Sequence, residues 1–166
     1  MSAVREYIFA KYEFQLTEEA AGKRVELAQT APPLGILFVT AVSAADLKNR
    51  DSGINGDVSD PFLQVQLGEQ SVKSAWLKDT LNPAWNTKLD ALQWNGIDLL
   101  KLEVWDYDKM TGNDSLGQAI VSLEGVPDSG KGDEGAQIVT VALHGSHALP
   151  GSTLTVRLNF QDLHEW

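Results

Sequence analysis

From residue 36 onward, short apolar stretches with polar residues at every second position recur between Gly, Pro, Asn and Asp. In the string TLTVRLNF, Leu154, Val156, Leu158 and Phe160 share one side while Thr155, Arg157 and Asn159 share the other. That is the two-residue period of a strand that buries one face and wets the other. Leu100, Leu102 and Val104 alternate with Lys101 and Glu103 in the same way. Eight runs of this kind are predicted as strands, at 36–43, 62–67, 70–77, 87–93, 99–105, 116–123, 137–143 and 153–160. Short β-branched and aromatic strands separated by turn residues predict an all-β fold, an eight-stranded antiparallel sandwich.

Residues 1–33 stand apart from this series. Ile8, Ala10, Tyr12, Phe14 and Leu16 alternate with Lys11, Glu13 and Gln15, and Val25 and Leu27 alternate with Arg24 and Glu26. Two readings remain open: an extra β-hairpin closed by TEEAAGK, or a leader belonging to a longer protein. Pro32 and Pro33 mark the join, so the chain divides into an N-terminal extension at 1–33 and one domain at 34–166.

Composition narrows the partners. With 166 residues and 43% apolar content the chain can bury one core. It contains no cysteine, which removes disulfide and thiolate chemistry and suits a reducing compartment. No run approaches the eighteen or so apolar residues that span a bilayer, and the start MSAVREYIFAKYEF mixes charges into its apolar residues, unlike a secretion signal. A cytoplasmic location is expected. The net charge of −10 opposes any nucleic-acid partner, since binding phosphate backbones requires a basic face.

The acidic residues are not spread evenly. Asp51, Asp57 and Asp60 fall in one loop, and Asp106, Asp108 and Asp114 form DYDKMTGND, which opens where the apolar run at 99–105 stops. Residues 46–60 and 106–114 together hold seven Asp against Lys48, Arg50 and Lys109, so ion pairing cannot balance them. If the strand ends lie side by side, like charges at about 4 Å repel by roughly 4 kcal/mol per pair at an effective dielectric near 20. A hard cation relieves that repulsion, and Ca2+, which takes six to eight oxygen ligands, suits clustered carboxylates.

Other chemistries fit poorly. Asp51, Asn55, Gly56, Asp57 and Ser59 imitate part of an EF-hand loop, yet the twelfth position is Phe62 where a bidentate Glu is needed. GVPDSGKG nearly matches a phosphate-binding loop, but Gly132 replaces the hydroxyl residue and a strand, not a helix, follows. His144 and His147 lack a third ligand in sequence reach, and no nucleophile, base and acid stand out as a triad. The chain is therefore expected not to be an enzyme. Trp76, Trp85, Trp94 and Trp105 are read as core or turn packing.

Three motifs in order, SDPF at 59–62, LNPAWN at 81–86 and VWDYD followed by NDSLG at 104–117, resemble those of C2 domains, calcium-dependent membrane-targeting modules. The resemblance runs from about Leu34 to Phe160. It implies a Greek-key sandwich in which the strand entering the first calcium loop comes first, the type II-like topology. It further implies that Asp106, Asp108 and Asp114 line the calcium pocket with Asp60. The chain departs from the family in the first loop, where the position six residues before Asp60 is Ile54. Asp51 precedes Asp60 by nine, which implies a three-residue insertion and makes Asp51 the favoured ligand and Asp57 the alternate.

The resemblance implies two or three Ca2+ ions, with the backbone carbonyls of Arg50 and Tyr107 completing part of the shell. It implies an anionic phospholipid membrane as partner, reached peripherally when calcium rises. Met110 at the predicted tip of the DYD loop, with Lys109 beside it and Ile54 as its counterpart, would meet the bilayer. Lys73 and Lys78 are too sparse for a phosphoinositide site, so phosphatidylserine is the favoured lipid. The alternatives are a protein-interaction module, calcium-regulated or calcium-independent, and a regulatory fragment of a larger lipid-transfer or lipid-modifying protein. The N-terminal extension could serve either by offering a sheet edge to a protein partner.

Overall fold

The computed structural model describes residues 33–51, 56–124, 126, 128 and 135–163. Ile54 and the extension at 1–33, Pro33 excepted, lie outside the described residues. Among those described, nine strands follow one another: β1 (Gly35–Ala45), β2 (Pro61–Leu67), β3 (Gln70–Lys73), β4 (Ala84–Lys88), β5 (Leu92–Trp94), β6 (Leu99–Asp106), β7 (Asp114–Ser122), β8 (Gln137–Ala142) and β9 (Thr153–Asp162). They form two antiparallel sheets, β4-β1-β9-β8 with β5 also pairing β1, and β3-β2-β6-β7. The fold is an all-β sandwich, as the alternation predicts, and β1 leads into the first acidic loop.

The strand count differs from the predicted eight because the run at 87–93 is two strands. Leu89 and Leu92 are both buried, while the two residues between them, Asp90 and Ala91, are exposed. Two exposed residues in succession break the two-residue phase, so a single strand cannot bury both leucines. The strand also begins earlier, at Ala84, because Trp85 of LNPAWN is buried.

Alternation places the core between the sheets. Leu37, Val39 and Ala41 of β1 and Leu154, Val156 and Leu158 of β9 meet Leu63, Val65, Leu100, Leu102 and Val104 from the other sheet. Trp94 packs edge-on against Phe160, ring centroids 5.5 Å apart. On β6 the inward series Leu100, Leu102, Val104 continues to Asp106, which is 2% exposed. A carboxylate therefore occupies the last core position of that strand.

Two irregularities lie near the end that carries the acidic loops. β1 shifts register between Ala41 and Ser43, and the β6·β7 ladder shifts between Val104 and Trp105. Bulges of this kind bend a strand and re-aim the side chains beyond them. In the second, Gly117 adopts φ +131°, where an added Cβ would sit 2.9 Å from Leu143 and 3.0 Å from Ala148.

Candidate functional site

The first acidic loop spans 46–60 and is pinned at both ends by the LNPAWN segment. Asp46 sits in the left-handed region at φ 56° and donates its N–H to Asn82 Oδ1 at 2.9 Å. The Leu47 N–H donates to Leu81 O at 3.0 Å. At the other end, Trp85 Nε1 donates to Pro61 O at 3.2 Å, where β2 begins. The indole of Trp85 and the side-chain amide of Asn82 thus set the loop's two ends.

Inside the loop, Asn49 and Ser59 do the bracing. Asn49 Oδ1 accepts the N–H groups of Asp51 at 3.1 Å and Ser59 at 3.3 Å, while its Nδ2 donates to Asp57 O at 3.3 Å. Ser59 is fully buried, and its hydroxyl accepts the Arg50 N–H at 2.8 Å. Buried polar groups need such partners, since an unpaired one costs about 1–3 kcal/mol. Asn49 has no sequence signal of this role, and Ser59 enters the sequence reading only within SDPF and the rejected EF-hand match.

The second acidic loop, 107–113, joins the first through Asp60. Asp106 Oδ1 accepts the Asp60 N–H at 2.7 Å, and Asp60 O accepts the Tyr107 N–H at 3.0 Å. Asp60 Oδ1 in turn accepts the N–H of Asp79 at 2.7 Å. Asp79, which sequence reading missed, holds φ 52° in the segment between β3 and β4. Asp108 caps its own loop, accepting from the Thr111 hydroxyl, from the Met110 N–H at 2.7 Å and from the Thr111 N–H at 3.3 Å. These bonds, the Thr111 hydroxyl foremost, hold the Asp108 carboxyl below its ordinary value. Asn113 Oδ1 closes the loop on the Asp108 N–H at 3.1 Å.

The carboxylates of the two loops share one electrostatic neighbourhood. Asp51 is pushed above the ordinary aspartate value, first by burial and then by Asp106, Asp60, Asp108 and Asp57. Asp114 reaches the first loop through Arg50, whose Nη2 lies 3.3 Å from its Oδ1. Nη1 of the same guanidinium lies 3.3 Å from His147 Nδ1 in the connection between β8 and β9. Arg50, named from sequence for its carbonyl and as one of three cations too few to balance the aspartates, has its side chain tethered at the acidic end.

Carboxylate oxygens supplied by two neighbouring loops are the ligand type that a hard cation such as Ca2+ takes. Each of Asp60, Asp106, Asp108 and Asp114 is nonetheless turned to a protein donor. Among the described residues, no three His, Asp or Glu side chains are grouped to hold an ion in this arrangement. The donor chemistry fits calcium: Asp60, Asp106 and Asp114 each accept through Oδ1, and only Asp108 accepts through both carboxylate oxygens. Beside them Tyr107 stacks on Trp76, Lys109 is exposed, and Met110 is 88% exposed at the loop tip.

The same architecture recurs among known proteins. The family model of the C2 domain matches residues 35–138. The Arabidopsis thaliana protein C2-DOMAIN ABA-RELATED 11 is 37% identical over 92 residues, which are 55% of this chain and 53% of that protein. Synaptotagmin-4 of Arabidopsis thaliana is 39% identical over 103 residues, 60% of this chain and 17% of that one. The chain thus spans about half the length, or less, of these relatives. Among solved structures, the first C2 domain of plant Extended Synaptotagmin 1, its domain A, superposes with a TM-score of 0.67 at 25% identity, covering 81% of this chain and all of that domain. The calcium-bound C2 domains A and B of Extended-Synaptotagmin 2 give 0.62 at 26% identity, covering 77% of this chain and 46% of that one. With the family model spanning most of both sheets and both acidic loops, the chain belongs to the C2 domain family.

Proposed function

We propose that this chain is a non-enzymatic module that binds anionic phospholipid membranes in a calcium-dependent way, with phosphatidylserine as the favoured lipid. The observation that carries it is the crowding of Asp51 by carboxylates from both loops, next to the exposed Met110. Asp60, Asp106, Asp108 and Asp114, with Asp51 or Asp57 and the carbonyls of Arg50 and Tyr107, would hold two or three ions. Bound calcium would reverse the local charge and offer open coordination positions to headgroup phosphate or carboxylate oxygens. Without it, the acidic loops repel an anionic surface.

The chain's own residues supply the rest. Lys109 pairs with headgroup oxygens, and Met110 enters the interface beside it. Ile54 carries the same proposal from its place in the sequence. The calcium-bound structural relative supports this reading. Among the described residues no helix is long and apolar enough to cross a membrane, so attachment is proposed as peripheral, from the cytoplasmic side when calcium rises.

Co-sedimentation with phosphatidylserine-containing and pure phosphatidylcholine vesicles, in Ca2+ and in chelator, tests it. Pelleting with anionic vesicles only in Ca2+, lost in the Asp106→Asn/Asp108→Asn variant, is the expected result. No pelleting under any condition rejects the membrane role.

One observation favours a second reading, a calcium-independent protein-interaction module: Asp60, Asp106, Asp108 and Asp114 each already have a protein donor on the side chain. Titration calorimetry showing no heat with Ca2+ would select it. Because the chain spans about half or less of these curated relatives, a regulatory role within a longer lipid-handling protein is a compatible extension of either reading.

A further inference from the structure

Trp76 is 43% exposed, an unusual setting for the largest apolar side chain. Its ring lies parallel to that of Tyr107, interplanar angle 3° and centroids 5.0 Å apart. The two residues reach each other from opposite flanks of the same segment. On one flank, residues 74–80 run beside the start of β2: the Ser74 N–H donates to Leu63 O at 2.9 Å, Leu77 to Pro61 O at 3.0 Å and Thr80 to Ser59 O at 3.0 Å. On the other, Asp106 is paired with Pro61 and the Tyr107 N–H donates to Asp60 O. Segments two places apart in a sheet are separated by about 9.5 Å. Rings centred 5.0 Å apart must therefore lean toward each other across Asp60 and Pro61.

Tyr107 stands between Asp106 and Asp108, so whatever fixes its ring also fixes the backbone that carries both carboxylates. We infer that Trp76 is a positioning residue for cation binding: it clamps Tyr107 across Asp60 and thereby holds the two acidic loops in mutual register. Trp76 touches no ion and supplies no donor; it acts through Tyr107. The inference rests on the calcium reading above.

The test is calcium titration calorimetry on the chain and its Trp76→Leu, Trp76→Phe, Tyr107→Leu and Trp76→Leu/Tyr107→Leu variants, with thermal unfolding in chelator as the folding check. An aromatic stack of this kind corresponds to a loss of about three- to tenfold in affinity when removed. Trp76→Leu is expected to weaken Ca2+ binding by that factor. Trp76→Phe, which retains an aromatic face, is expected within about twofold of the unaltered chain. The double variant is expected to be no weaker than the worse single one, since both remove one contact. A variant that does not fold leaves the comparison to the other ring's substitution.

A role confined to stability would lower the unfolding midpoint in chelator and leave calcium affinity untouched. Equal affinity in Trp76→Leu, additive losses in the double variant, or Trp76→Phe as weak as Trp76→Leu would overturn the inference while leaving the calcium reading standing. No calcium heat with the unaltered chain would overturn both.

Discussion

The backbone N–H of Asp60 donates to Oδ1 of Asp106 at 2.7 Å, so one acidic loop is hung on a carboxylate of the other. Asp106 is almost wholly buried at the inward end of β6. An ionised group there needs a donor, and the Asp60 amide is one. The same carboxylate thus has a structural partner now and a proposed ligand role later.

Substitution separates the two roles. Asp106→Asn keeps a side-chain oxygen for the Asp60 N–H but removes the charge, whereas Asp106→Ala leaves that donor unsatisfied at a cost of about 1–3 kcal/mol. In chelator, urea unfolding should find Asp106→Asn less destabilised than Asp106→Ala. In calcium titrations both should fail to bind normally. Equal stability of the two in chelator would mean that the hydrogen bond to Asp60 contributes little.

Arg50 introduces an opposing effect. Its guanidinium lies 3.3 Å from Asp114, a half-exposed pair, so breaking it should cost less than about 1 kcal/mol. Arg50→Gln removes a positive charge from a group of carboxylates that otherwise attract cations. Its calcium affinity should rise several-fold, and the gain should shrink as ionic strength increases. Unchanged or weaker affinity would mean that Arg50 supports the site instead of competing for it.

The sandwich was legible because burial of one strand face imposes a period of two. Leu100, Leu102 and Val104 signal it without reference to distant contacts. The same rule misplaced one strand, since the phase break at Asp90 and Ala91 has no signature in the run of residue types. The acidic loops were legible as charge imbalance, and Asp57, Asp60, Asp106 and Asp108 each act electrostatically on Asp51. What supports them was not. Asn49, Asp79 and Asn82 act through hydrogen bonds to segments 2 to 36 residues away in sequence. Such bonds depend on backbone placement, which composition and spacing do not encode. Trp76 is legible only as packing, since its partner Tyr107 lies far along the chain in the second acidic loop.

Asp51 is disfavoured in its charged form by burial and by four neighbouring carboxylates. At neutral pH it therefore opposes folding in the absence of a cation. Asp51→Asn should raise the unfolding midpoint in chelator by an amount equivalent to no more than about 1 kcal/mol, the range of partly screened surface charges. Salt should diminish the difference. In excess Ca2+ the order should reverse, because the unaltered chain gains binding free energy that the variant lacks. If Asp57 is the ligand instead, the reversal belongs to Asp57→Asn and Asp51→Asn stays the more stable in both conditions.

Met110 distinguishes membrane insertion from electrostatic adsorption. At 88% exposure its side chain makes little contribution to the core, so Met110→Ala should leave unfolding in chelator within about 0.5 kcal/mol of the unaltered chain. Burying a methionine side chain in an apolar phase is worth about 1.5–3 kcal/mol. If Met110 enters the bilayer interface, vesicle affinity in Ca2+ should fall by roughly tenfold or more, with calcium affinity in the absence of lipid unchanged. Adsorption through charge alone would instead leave Met110→Ala binding as tightly as the unaltered chain, while Lys109→Gln weakened it and added salt released both. The two variants, measured on the same phosphatidylserine vesicles across a salt series, assign the attachment to one force or the other.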